Sequence, residues 1–87
     1  HVDITPPVII DGQPHVLAHL QISPTARICG MMVNAVEEMF RVSVILRCKN
    51  GKREFHPAGD VIIEEGQTIA IFGEPDHIHQ LLNERQR

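Results

Sequence analysis

Six histidines, two cysteines and eleven acidic residues in 87 positions are the material from which a metal or acid–base site would be built. Their spacing is therefore the first question. His15 and His19 stand four apart, which helps only on a helix, and Pro14 and the alternating residues after it favour an extended segment. His77 and His79 are two apart in a stretch that reads as helix, so they point roughly 200° apart and cannot share an ion. No Cys-x-x-Cys and no His-Glu-x-x-His occurs. No metal site is read within one chain, while a site shared across a symmetric dimer stays open. The adjacent pairs Glu37-Glu38 and Glu64-Glu65 diverge or lie at a turn, so they do not form a two-carboxylate centre. There is no Gly-x-Ser-x-Gly and no Gly-x-Gly-x-x-Gly, and neither cysteine has a credible base near it in sequence. No catalytic residue is assigned, no cofactor is named, and the chain is read as non-enzymatic. The remaining chemical feature is cationic. Arg41, Arg47, Lys49, Lys52 and Arg53 cluster around one predicted hairpin, either as charges that guard a sheet edge or as contacts for a small anionic ligand.

The elements that must position these residues follow from periodicity and turn chemistry. Residues 1–16 hold three of the six prolines, with Asp11-Gly12 as a turn signal, and read as a linker or an N-terminal arm that pairs with another chain. Leu17 to Ile22 reads as a strand broken by Ser23-Pro24. Ile28, Met32, Val36 and Met39/Phe40 form a helical stripe, and the helix is placed from Met31 because Gly30 is a poor interior residue. The three methionines, all on this segment, are read as core filler. Arg41 to Lys49 alternates as a strand, with Val42, Val44, Leu46 and Cys48 on one face and Ser43, Ile45 and Arg47 on the other. Asn50-Gly51 signals a type I′ hairpin returning through Lys52–His56. Thr68 to Phe72 is a further strand. Pro75 opens a closing helix behind Glu74, with Ile78, Leu81 and Leu82 inward and Glu84, Arg85 and Arg87 toward water. The order β-α-β-β-β-α predicts an α+β two-layer sandwich, mostly antiparallel, with two helices on one face. The other face would carry Ile45, Ile62, Ala70 and Phe72, an apolar surface that calls for a second copy.

Composition sets the outer bounds. With 43% hydrophobic and 22% charged residues the chain is globular. At 87 residues it is one small domain burying only about 60% of its unfolded surface, so a partner would add stability. A net charge of −3 offers no basic surplus for phosphates, and nucleic acid is set aside as a partner. With no Trp or Tyr and only 3 Phe, an aromatic base-stacking platform is excluded. No apolar run approaches the roughly 20 residues a membrane span needs. Cys29 and Cys48, in unrelated contexts, are read as reduced, which favours the cytosol.

In order and spacing, Gly30, Val42-Ser43-Val44, Asn50-Gly51, Pro57 with Asp60, Gly66 to Gly73 and the Ile78/Leu81-Leu82 helix resemble the C-terminal lobe of the regulator-of-potassium-conductance family, the TrkA C-terminal domain, over about residues 17–84. The resemblance implies a two-fold regulatory lobe attached to a potassium channel or cation transporter, with a small ligand, such as a cyclic dinucleotide, held between paired lobes. It implies a cytoplasmic location on an inner-membrane transport protein and a membrane domain as partner. Two departures stand out: Gly66-Gln67 replaces the usual Gly-Asp, and Glu37 and Glu38 occupy the late helix where dinucleotide-binding members carry arginine. Within this frame residues 17–87 form the regulatory domain. Arg41, Ser43 and His56 are the expected seam or ligand contacts, because they flank the helix exit and the hairpin. The alternative is the same lobe as a ligand-sensing domain of a transcription regulator or of another transporter. A further alternative is a purely structural dimerisation lobe.

Overall fold

The computed structural model describes residues 2–83. Eight elements follow in the order β1 (Val2–Ile4), β2 (Val8–Ile10), β3 (Gln13–Gln21), α1 (Val33–Phe40), β4 (Ser43–Lys49), β5 (Lys52–Phe55), β6 (Thr68–Gly73) and α2 (Pro75–Leu82). The sheet runs β1-β3-β6-β4-β5, wholly antiparallel, with β2 also paired to β3. The two helices cover one face, so the architecture is the expected α+β sandwich. The N-terminus, read as a linker or arm with a short extended piece at Val8–Ile10, adds β1 and β2 to β3. The reason is local. Asp11 and Gly12 both take positive φ (51° and 79°), the geometry of a type I′ hairpin, and this folds Val8–Ile10 back onto Gln13–His15.

The core is aliphatic. Val16, Ala18, Leu20 and Ile22 from the β3 region meet Ile69 and Ile71 of β6, and Val33, Val36, Phe40, Ile78 and Leu81 close it from the helices. The first helix starts at Val33 rather than Met31. Gly30, at φ 90°, donates its N–H to the Ile63 carbonyl, and Ile63 donates to Met31. Residues 30–32 therefore pair with 61–63, including a Met32–Ile62 bridge, instead of winding. The helical stripe consequently falls on Val33, Val36 and Phe40. Met32 and Met39 are 42% and 61% exposed, so they do not fill the core. Ile28 still packs inward from the loop, as its apolar character requires.

The second difference lies in β4. A bulge between Val44 and Leu46 shifts the ladder by one residue. Residues opposite one another on adjacent strands share a face. Val44 (opposite Ile71) and Arg47 (opposite Ile69) therefore lie on the helix side, and Ser43, Leu46 and Cys48 lie on the open side. The alternation read from the sequence holds up to Val44 and inverts after it. The open face thus carries Leu17, Phe72 and Ser43 in one row and His19, Ala70, Leu46 and Phe55 in the next. Phe55 is 68% exposed. Ala70 and Phe72 are where the sequence placed them, whereas Ile45 sits in the bulge and Ile62 in the bridge to Met32.

At the closing helix Glu74 takes the N-cap position with extended backbone and Pro75 follows at the first turn. The Glu74 side chain makes no capping hydrogen bond; its carbonyl accepts the Ile78 N–H at 3.0 Å. Glu84, Arg85 and Arg87 lie outside the described residues.

Candidate functional site

A concavity of about 610 Å³ lies on the β4–β5 hairpin and is lined by Arg47, Lys49, Asn50, Lys52, Arg53 and Glu54. Its shape follows from the turn. Asn50 and Gly51 at φ 52° and 79° make the type I′ connection that brings the two charged strand ends side by side. Four cations face one carboxylate. Arg47 spends its charge locally, with Nη2 and Nε each 2.8 Å from Glu54 Oε1 across the strand pair. Lys49 reaches Glu64 Oε1 at 3.3 Å, an exposed pair of little energetic weight. Lys49 and Lys52 lie directly opposite on the ladder. Two like charges in that position are destabilising. An anion seated in the groove removes this repulsion.

A second, smaller pocket of about 340 Å³ is lined by His15, Glu37, Arg41, Val42, Ser43, Phe72, Gly73 and Glu74. Arg41 ends α1 in the left-handed conformation, φ 56° and ψ 51°, and its N–H donates to the Glu37 carbonyl. The Glu37 carboxylate accepts the Val44 N–H at 2.9 Å, so it holds the entry to β4. His15 stacks on Phe72 with ring centroids 5.4 Å apart and planes 6° from parallel. The structure thus brings Arg41 and Ser43 together. His56 stands apart, at the exit of β5, where its N–H donates to the Ile45 carbonyl at 2.8 Å and its ring meets Phe55 edge-on. All three residues and the hairpin groove are strung along β4 and its partner strand.

No group of three or more His, Cys, Asp or Glu side chains placed to hold a metal ion occurs among the described residues. Cys29 and Cys48 are both half-buried and are not joined to each other in a disulfide. Gln67, at the position where the sequence departs from Gly-Asp, is buried. Its Oε1 accepts the Glu64 N–H at 3.0 Å, so it organises the turn before β6. The sequence pointed to the hairpin cations as a cluster; the facing of Lys49 on Lys52 becomes visible only with the register.

The family model of the TrkA-C domain matches residues 17–85. No curated protein matches the chain. Among solved structures, the RCK_C domain dimer of S. agalactiae BusR in complex with c-di-AMP is similar at TM-score 0.61 and 19% identity, covering 70% of this chain and 83% of that one. S. agalactiae BusR in complex with its busAB-promotor DNA is similar at the same TM-score and identity, and the match covers 31% of that chain. This chain therefore spans about a third of the length of that protein.

One expectation is overturned by these findings. Nucleic acid was excluded and a membrane domain was named as partner, yet a protein containing a lobe of this fold has been solved on promoter DNA. The net charge of −3 describes this lobe alone. It carries no information about the charge of whatever a longer polypeptide joins to such a lobe. No described helix is long and apolar enough to cross a membrane.

Proposed function

Given that the chain belongs to the TrkA-C domain family, we propose that it is a non-enzymatic, ligand-sensing regulatory lobe that works as a two-fold dimer. On this reading the ligand is a small phosphate-bearing anion and the hairpin groove is its principal contact. The observation that carries the reading is the Lys49–Lys52 opposition inside a groove of four cations and one carboxylate. A strand pair that places like charges face to face costs stability unless an anion offsets it. Arg41, Ser43 and His56 are proposed seam contacts. The apolar open face around Leu46, Phe55 and Phe72 is the proposed seam, since an 87-residue chain gains most by covering such a surface. Half-buried Cys29 and Cys48, with no disulfide between them, suit a reducing cytosol.

Of the settings for such a lobe, a transcription regulator is favoured over a transport protein. The similar solved structures are of a promoter-binding protein, one of them with c-di-AMP in the lobe dimer. A ligand acts here by population shift: it must bind one arrangement of paired lobes more tightly than the other. The test is titration calorimetry with c-di-AMP and, in parallel, inorganic pyrophosphate. Saturable binding to either, weakened in the double variant Lys52→Ala/Arg53→Ala, supports the reading. Heats of dilution alone for both would leave a dimerisation scaffold as the correct description.

A further inference from the structure

The N-terminal segment lies before the family match, which begins at residue 17, and it forms the outer edge of the sheet. Five of its aliphatic side chains are solvent-exposed: Val2 41%, Ile4 43%, Val8 55%, Ile9 65% and Ile10 45%. Natural sheet edges are usually blunted by charge or proline. Here Pro6-Pro7 guard the middle and Asp3 lies in β1, while β2 has no such guard.

The hydrogen-bonding direction along β2 follows from its neighbour. Leu17 accepts the Thr5 N–H at 3.0 Å and donates its own N–H to Thr5 Oγ1 at 3.0 Å, so the Leu17 amide groups face the arm. Alternation gives His15 and Gln13 the same direction. Their partners Val8 and Ile10 therefore spend their amide groups inward. The N–H and carbonyl of Ile9 are left at the open edge, and among the described residues no strand pairs with that side of β2.

We propose that β2 pairs edge to edge with β2 of a second copy, antiparallel about a two-fold axis at Ile9. The sequence Val8-Ile9-Ile10 is self-complementary under that operation: Ile9 meets its own counterpart, Val8 meets Ile10 and Ile10 meets Val8. All three cross-strand pairs are aliphatic, the combination that sheets favour. The same operation centred on β1 sets Asp3 against Asp3, which like-charge repulsion disfavours. The contact also buries apolar surface on both sides of the joined sheets. Ile9 (opposite Pro14), Ile4 (opposite Ala18) and Val2 (opposite Leu20) share the helix side, and Val8 and Ile10 share the open side with His15. The joint is small beside the roughly 800 Å² per partner of a standard interface, so it is a weak, reversible link rather than a permanent one. It is separate from the seam and the ligand groove of the preceding section and stands without them.

Residues directly opposite in an antiparallel pair have Cβ atoms about 4.5–5.5 Å apart, within reach of a disulfide after small adjustment. The full chain carrying Ile9→Cys is oxidised gently and its covalent dimer followed on non-reducing gels, beside wild type and Val2→Cys. Val2 is as exposed as the test needs but lies about 20 Å along the arm from the axis. The expected result is a dimer forming at least ten times faster with Ile9→Cys than with either control, and dissolving in reductant. Independently, Ile9→Lys lowers the weight-average mass in sedimentation equilibrium. Equal cross-linking rates for Ile9→Cys and Val2→Cys, with both variants melting like wild type, would overturn the proposal. An unchanged mass for Ile9→Lys would do the same.

Discussion

Neutralising Lys52 and Arg53 tests the hairpin groove most sharply, because the structure sets both sign and size. Each is exposed, and neither shares a hydrogen bond or ion pair with a described side chain, whereas Arg47 is bound to Glu54 and Lys49 to Glu64. The groove is open, so water's dielectric applies. Unit charges about 5 Å apart then interact by about 0.8 kcal/mol, and physiological salt roughly halves this. For a ligand with two negative charges, each lost cation costs about 0.8 kcal/mol, or roughly four-fold in affinity. Lys52→Ala/Arg53→Ala should therefore weaken pyrophosphate binding by roughly fifteen-fold, and the loss should shrink as salt is raised. Glu54→Gln removes the one carboxylate of the groove while keeping an oxygen for Arg47, so it should tighten binding by roughly four-fold. Calorimetric titrations at two salt concentrations measure all three. A double variant within two-fold of wild type, or a Glu54→Gln protein that binds more weakly, refutes the electrostatic account.

Four further outcomes follow from named contacts. Gln67→Ala removes the buried side chain that accepts the Glu64 N–H at 3.0 Å in a part-buried bond, at a cost of about 1–3 kcal/mol in urea unfolding. Gln67→Met, which keeps the volume, should lose less than Gln67→Ala. A Cβ at Gly73 would meet Val42 Cγ1 at 2.8 Å, so Gly73→Ala should destabilise by about 1–3 kcal/mol, and adding Val42→Ala should recover part of that loss. Arg41→Gly relieves a left-handed backbone position and should raise stability by about 0.5–1 kcal/mol in thermal melts, opposite in sign to Arg41→Ala relative to glycine.

Much of this architecture can be read from local chemistry. Asn50-Gly51, Asp11-Gly12 and Pro75 each specify a backbone geometry that few other residues allow, and each appears where its chemistry requires. What escaped the sequence depends on contacts between distant segments. The bulge at Ile45 lies within the pairing of β4 with β6, just where β5 joins the other side of β4, and it inverts the faces of Leu46, Arg47 and Cys48. The start of α1 is decided by residues 61–63, which draw off the backbone of 30–32. Those contacts leave Met32 and Met39 outside the core although their spacing looks helical. Of the candidate site, the cationic residues were legible as a cluster, but the opposition of Lys49 and Lys52 required the hairpin register. The extended piece at Val8–Ile10 is legible between Pro7 and Asp11-Gly12, but strand β1 is not, because Pro6-Pro7 argue for a connector, whereas Thr5 bonds Leu17 through both its N–H and its hydroxyl.

On the proposed function, two lobes close on each other and an anion biases the closed pair. Sedimentation equilibrium of the Ile9→Lys chain, with the arm contact blocked, addresses it directly, run with and without saturating pyrophosphate. The expected result is a particle of two 9.8 kDa chains whose dissociation constant falls when the anion is present. A single-chain particle at every concentration, or a dimer indifferent to the anion, would contradict it.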